Sequence, residues 1–162
     1  MIRVKSEREI DLMREPCRIV RDTLAFVGSK IKAGMTTKEV DELVDRYIRS
    51  EGAYPSCLGY AGYPASACVS VNEMVVHGIP DDETVLRDGD IVSVDLCAYK
   101  NGYHGDGCRT FCIGEVAPEV KQLVKVTEEC FFKAIEGLRA GTPLYDIGYR
   151  VQSYAESFGY GV

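Results

Sequence analysis

Residues 89–111 have the sequence Gly89-Asp-Ile-Val-Ser-Val-Asp95-Leu-Cys-Ala-Tyr-Lys-Asn-Gly102-Tyr-His-Gly-Asp106-Gly-Cys-Arg-Thr-Phe111. Both halves are rich in β-branched and aromatic residues, and Asn101-Gly102 between them is a strong signal for a two-residue hairpin turn. With that turn, Asp95 lies opposite Cys108 and Asp106 lies opposite Cys97. The two aspartates are then diagonal neighbours on one face of the hairpin, unless a β-bulge shifts the register.

Two carboxylates placed side by side repel each other, so they need a cation, a shared proton or solvent as compensation. Carboxylate oxygens are hard ligands that suit divalent cations such as Mg, Mn, Fe or Zn. The pair of Asp95 and Asp106 therefore predicts a metal site, and the alternative is two solvated aspartates on a sheet surface. Strict alternation puts His104 on the same face, as a third candidate ligand or as a surface histidine.

Composition excludes several classes of function. A length of 162 residues suits one domain with a real core. The net charge of −6 without a basic cluster argues against a nucleic-acid surface. No run of apolar residues is long enough for a membrane span, and the charged N-terminus lacks a signal-peptide core, so a cytoplasmic location is expected. No Cys-x-x-Cys pair occurs, so the seven cysteines are expected to be reduced and mostly buried; they are Cys17, Cys57, Cys68, Cys97, Cys108, Cys112 and Cys130.

Two helix pairs flank the strand region. Capping boxes at Ser6 and Thr36 begin the first pair, Pro118 begins a third helix, and a fourth is predicted from about residue 143 to residue 158. The apolar pattern of the first pair recurs in the second, which predicts a repeat of about 1–115 followed by the start of a second copy at about 116–162. We expect one α+β domain that is truncated, because the second copy lacks its strands.

Residues 57–80 form an unusual loop region before the hairpin. Tyr60 and Tyr63 place aromatic surface next to several glycines, a common way to build a small apolar pocket with polar edges. His77 follows a short apolar run, where its imidazole can donate a hydrogen bond to a substrate or exchange a proton with it. The alternative for His77 is a loop histidine that is satisfied by backbone carbonyls.

Four ordered motifs resemble the type I methionine aminopeptidases of the bacterial kind. They are Leu58-Gly-Tyr-Ala-Gly-Tyr-Pro64, Ser70-Val-Asn-Glu-Met-Val-Val-His77-Gly-Ile-Pro80, Asp88-Gly-Asp-Ile-Val-Ser-Val-Asp95, and Gly102-Tyr-His-Gly-Asp106 followed by Arg109-Thr-Phe111. The resemblance extends over the whole chain but only over the N-terminal part of the family's catalytic domain. It implies the α+β "pita-bread" fold, here its N-terminal half plus the first helices of the second half.

The resemblance also implies a site. Asp95 and Asp106 match two of the family's metal ligands, for two divalent ions (Co, Mn, Fe, Zn or Ni), and His77 matches a catalytic histidine that contacts the substrate. Cys57, Tyr60 and Tyr63 match positions that line the methionine pocket. His104 has no ligand role in the family. The remaining ligands of the family lie beyond the counterpart of Val162, so the 162-residue chain alone is expected to be inactive.

For the complete protein, the resemblance implies removal of the initiator methionine from the N-termini of nascent polypeptides by a monomer. A truncated chain that completes itself by pairing with another chain stays open, as do two alternative functions. One is an inactive pita-bread module that binds partners, since the fold is reused for other functions. The other is a proline-specific aminopeptidase of the same fold.

Overall fold

The computed structural model describes residues 3–162 and divides the chain into two compact units between Val116 and Ala117. The first unit has helices and strands in the order α1 (Glu7–Gly28), α2 (Thr37–Ser50), β1 (Tyr54–Pro55), a 3₁₀ turn (Tyr60–Gly62), β2 (Ala67–Val71), β3 (Ile91–Lys100) and β4 (Tyr103–Cys112). The second contains α3 (Pro118–Ile135) and α4 (Tyr145–Glu156). This mixture of helices and sheet confirms the α+β class, while the single domain and the internal repeat stay predictions.

The helix starts follow the predicted capping chemistry. Ser6 Oγ accepts a hydrogen bond from the backbone N–H of Glu9 at 3.4 Å, and Thr36 Oγ1 accepts one from the N–H of Glu39 at 3.1 Å. Each glutamate also accepts from the N–H of its capping residue, which completes two capping boxes. The fourth helix, α4, is shorter at both ends than the predicted range of 143–158.

The four strands form one antiparallel sheet with β3 at its centre. On one side β3 pairs with β4 along its whole length, and on the other side it pairs with β2 and then with the short β1. Asn101 and Gly102 form the β3–β4 turn with φ values of 56° and 86°. Two positive φ angles are typical of a type I′ turn, whose twist matches that of the flanking strands.

The two faces of this sheet differ in chemistry. The helix-covered face presents Val92, Val94, Leu96 and Ala98 of β3, all fully buried in a core to which α1 and α2 contribute. The polar face presents the alternate residues, among them Asp95 and Cys97 of β3 and the β4 residues paired with them. The period of two along a strand therefore separates the apolar core of the unit from the side chains of its polar face.

Helix α1 lies very close to β4 because β4 carries glycine on its helix-covered face. A Cβ atom on Gly105 would lie 2.4 Å from the carbonyl carbon of Pro16, and one on Gly107 would lie 2.9 Å from Cγ1 of Val20. Such distances leave no room for a side chain at Gly105. The same short segment of β4 thus places Asp106 on the polar face and the two glycines that contact α1 on the other face.

The second unit is a helix pair with a small core. Helices α3 and α4 contact each other around Val126, Cys130 and Ala155, which are buried, with Val151 and Tyr154 partly buried beside them. Across residues 3–162, no helix combines the length and the apolar character needed to cross a membrane.

The cysteines are reduced but less buried than predicted. All seven are free thiols, yet only Cys68 and Cys130 are buried, and Cys17, Cys108 and Cys112 are exposed. The prediction of mostly buried cysteines is therefore wrong. The reason is the register of the sheet, which places several thiols on the polar face instead of in the core.

Candidate active site

The predicted register of the hairpin is confirmed. Asp95 pairs with Cys108 and Cys97 pairs with Asp106, without a bulge anywhere between Ile91 and Cys112. The two aspartates therefore occupy diagonal positions on the polar face, where Cβ atoms lie within about 7–8 Å of each other. Side chains whose Cβ atoms are this close can direct their carboxylates at one metal ion.

The electrostatics of the pair are those of crowded carboxylates. Burial raises the pKa of Asp95 above its ordinary value, and the negative charge of Asp106 raises it further. The imidazole of His77 acts in the opposite direction and lowers the pKa of Asp95. A bound cation would relieve the same repulsion much more completely.

Strand β2 adds a third row to the polar face. Cys68 pairs with Asp95 on the side opposite to Cys108, so a thiol flanks this aspartate on each side. Partial burial raises the pKa of Cys57 to about 11. This thiol therefore stays protonated at neutral pH.

One cavity of about 560 Å³ connects the loop region to the hairpin. Every site residue that the sequence predicted lines it: Cys57, Tyr60, Tyr63, His77, Asp95 and Asp106. The cavity wall is aromatic and apolar near Tyr60 and Tyr63 and carboxylate-bearing at the hairpin. The structure thus brings the six residues together, and the role of each stays a prediction.

His77 lines the cavity and has a backbone conformation that is uncommon for any residue other than glycine. Its φ is 60°, in the left-handed region, where histidine occurs more often than most residues but still rarely. The next residue, Gly78, is buried, and a Cβ there would lie 2.3 Å from the carbonyl oxygen of Val69. No pattern in the sequence predicted this backbone conformation of His77.

Tyr63 connects the loop to the His77 segment. Its hydroxyl lies 2.9 Å from the carbonyl oxygen of Gly78 and 3.2 Å from that of Ala67, so its single proton is shared between these two acceptors. Burial raises the pKa of Tyr63, and the neighbouring Cys68 raises it further, so the hydroxyl keeps its proton and remains a donor. Tyr63 is therefore both a wall of the cavity and a structural contact.

His104 is engaged away from the aspartates. Its Nδ1 lies 2.9 Å from Oγ of Ser56, and its ring packs on Tyr99 with centroids 4.9 Å apart. It does not line the cavity that contains Asp95 and Asp106. Alternation alone made His104 a candidate ligand, and its position agrees with the resemblance, which gives it no such role.

Five residues of the cavity wall were not predicted as site residues: Ala61, Gly62, Pro64, Cys68 and Ile79. All of these except Cys68 lie within the motifs at residues 58–64 and 70–80. The position of Cys68 beside Asp95 depends on the pairing of β2 with β3. No turn signal predicts this pairing, because the long connection of residues 72–90 separates the two strands. Once the pairing of β2 with β3 is known, the position of Asp95 on the polar face places its partner Cys68 on that face too.

The donor set suits a hard divalent cation but is incomplete. Two carboxylates from adjacent strands are hard oxygen ligands of the right kind. Among the described residues, no group of three or more His, Cys, Asp or Glu side chains has an arrangement that could hold a metal ion. A metal held by Asp95 and Asp106 would need further ligands from water or from protein groups outside residues 3–162.

Comparison with known proteins identifies the family. The model of metallopeptidase family M24 matches residues 11–162. The chain belongs to this family. Its fold is the pita-bread fold of the M24 enzymes, and a divalent metal is the cofactor that membership of a metallopeptidase family implies.

Individual M24 proteins define the similarity further. A methionine aminopeptidase of Clostridium acetobutylicum is 49% identical over all 162 residues. The crystal structure of methionine aminopeptidase from Thermotoga maritima superimposes with a TM-score of 0.97 at 40% identity over 100% of this chain. An X-Pro aminopeptidase from Thermotoga maritima gives a TM-score of 0.81 at 28% identity, over 98% of this chain and 43% of its own. The chain spans about 65% of the length of each of the two methionine aminopeptidases.

Proposed function

We propose that the complete protein is a methionine aminopeptidase that removes the N-terminal methionine from nascent polypeptides by metal-dependent hydrolysis of the first peptide bond. The observation that carries the proposal is the single cavity in which Asp95 and Asp106 stand beside His77 and an apolar wall. The 49% identity to a methionine aminopeptidase supports the choice of substrate. We further propose a monomer that acts in the cytoplasm.

The cavity wall suits an unbranched thioether side chain. Tyr60 and Tyr63 present ring surface, Ile79 adds an aliphatic side chain, and Cys57 adds a thiol that stays protonated. Sulfur makes favourable contacts with aromatic rings, and a flexible methionine side chain adapts to an irregular wall. These residues bind the side chain of the first substrate residue and exclude water from it.

Asp95 and Asp106 would hold the metal, with two divalent ions as the proposed number and Co, Mn, Fe, Zn or Ni as candidates. Bound divalent ions supply a water of lowered pKa and polarise the carbonyl of the scissile bond. His77 faces the same cavity and donates a hydrogen bond to the substrate near that bond, where negative charge develops. The carboxylates thus fix the reaction centre, and the imidazole orients the peptide against it.

The test is hydrolysis of Met-Ala-Ser by the complete protein, measured as release of free methionine. We expect release in the presence of Mn²⁺ or Co²⁺, loss after treatment with a chelator, and recovery when the metal is restored. Release that continues unchanged in excess chelator would contradict the metal-dependent mechanism.

A second candidate is aminopeptidase activity on peptides with proline in the second position. The similarity to an X-Pro aminopeptidase, at a TM-score of 0.81, favours it. The same assay with Ala-Pro-Ser separates the two activities: preference for Met-Ala-Ser supports the first proposal, and preference for Ala-Pro-Ser replaces it. Hydrolysis of neither peptide at any metal concentration would leave a binding function as the explanation of the cavity.

A further inference from the structure

The backbone of His77 is held in place mainly through the residue that follows it. The N–H of Gly78 donates to Oγ of Ser70 at 3.1 Å. The carbonyl of Gly78 accepts from the N–H of Val69 and from the hydroxyl of Tyr63, each at 2.9 Å. Both backbone polar groups of this buried residue are therefore satisfied by β2 and by the loop before it.

Ser70 and Tyr63 both contact Gly78, but only Tyr63 lines the cavity. Tyr63 lines the cavity and would touch the substrate, whereas Ser70 is buried, 4% exposed, and does not line it. Its hydroxyl has an acceptor role toward the peptide that follows His77. A left-handed histidine is uncommon and persists when the surrounding contacts determine it.

We propose that Ser70 is a positioning residue: its hydroxyl fixes the Gly78 peptide to β2, and this contact directs His77 into the cavity that Asp95 and Asp106 share. Without the hydroxyl, the Gly78 N–H loses its buried acceptor, and the 77–78 segment relaxes toward an ordinary backbone conformation. The imidazole then leaves its productive position. The inference rests on the proposed function, because that function gives the position of His77 its consequence.

A matched control lies directly across the sheet. Ser93 is the register partner of Ser70, and its hydroxyl lies 2.8 Å from that of Thr110 instead of contacting the His77 segment. Ser93 is also absent from the cavity wall. Ser70→Ala and Ser93→Ala thus remove the same atom from adjacent positions of one sheet, and only the first removes the contact to Gly78.

The first readout is a double-mutant cycle in the complete protein with Met-Ala-Ser as substrate. We expect Ser70→Ala to lower kcat roughly 10–100-fold, the scale set by a misplaced catalytic group, with little change in KM. In a His77→Ala background the same substitution should have no further effect, because the group that it positions is gone. Ser93→Ala should keep wild-type kcat. An equal loss with and without the imidazole, or an equal loss in Ser93→Ala, would overturn the proposal.

The second readout needs neither metal nor turnover. Amide hydrogen exchange, measured by NMR, should accelerate at Gly78 by about tenfold or more in Ser70→Ala, since the N–H loses its acceptor, and should stay unchanged in Ser93→Ala. The coupling constant that reports φ of His77 should leave its left-handed value in Ser70→Ala alone. If the wild-type protein fails to release methionine, the proposed function fails, and this measurement then decides the role of Ser70 by itself. Unchanged exchange at Gly78 in Ser70→Ala would refute it.

Discussion

The two faces of the sheet are formed by the same strands but differ in burial and charge. On the helix-covered face, Val92, Val94 and Leu96 are fully buried and belong to the main core. On the polar face, Asp95 and its β4 neighbour Asp106 border a cavity and repel each other. Residues one step apart along β3 therefore lie in opposite environments: Leu96 is buried in the core, and Asp95 borders the cavity. Substitutions on the two faces should accordingly separate stability from activity.

The largest effect is expected for Asp106→Asn. The substitution keeps the size of the side chain but removes the charge that the proposed metal requires, so hydrolysis of Met-Ala-Ser by the complete protein should fall by at least about 10³-fold. Thermal unfolding of the metal-free variant should match or exceed that of the wild type, because a repulsive charge is lost. Near-normal turnover would contradict the assignment of Asp106 as a metal ligand.

The next effect is on the helix-covered face. Leu96→Ala removes a fully buried side chain next to Asp95 in sequence and should lower the free energy of unfolding by about 2–5 kcal/mol. Urea unfolding measures this loss. Cys112→Ala, an exposed position on the polar face, serves as the control and should stay within about 0.5 kcal/mol of wild type. Equal losses in the two variants would break the contrast between the faces.

A smaller loss of stability is expected where α1 crosses β4. In Gly105→Ala the new Cβ overlaps the backbone of Pro16, which cannot rotate away, so we expect a cost of about 1–3 kcal/mol. In Gly107→Ala the closest atom belongs to the Val20 side chain, so the cost should be smaller. Melting temperatures of the two variants test this order, and a reversed order would count against the close approach.

The smallest effect concerns pH. The pKa of Asp95 is raised above its ordinary value of 3.8 by burial and then by Asp106. A carboxyl with a raised folded-state pKa binds its proton more tightly when folded, so stability decreases as pH rises from about 4 through that pKa. In chelator, Asp95→Asn should therefore be more stable than wild type at pH 7, with a smaller difference at pH 3. The same difference at both pH values would show that Asp95 ionises without a cost.

The sequence predicted the hairpin well because its determinants are local. Asn101-Gly102 specifies the turn, the turn sets the register, and the register places Asp95 diagonal to Asp106. The motifs that resemble the methionine aminopeptidases then indicated which loop residues accompany the aspartates, and the structure finds all of them around one cavity.

Features that depend on distant pairing were not predicted. The position of Cys68 beside Asp95 follows from a β2–β3 register that no short turn sets, since residues 72–90 separate the strands. The left-handed backbone of His77 depends on contacts of Gly78 with Ser70 and Tyr63, which only the folded chain brings together.

The central claim is that the polar face uses Asp95 and Asp106 to share a metal ion. Crystals of the complete protein grown with Mn²⁺ and measured near the manganese absorption edge would test it most directly. We predict an anomalous peak within about 2.6 Å of carboxylate oxygens from both aspartates, the upper range for a divalent cation with hard oxygen ligands. A fully occupied peak elsewhere in the molecule, with these two carboxylates bound only to water, would contradict the account.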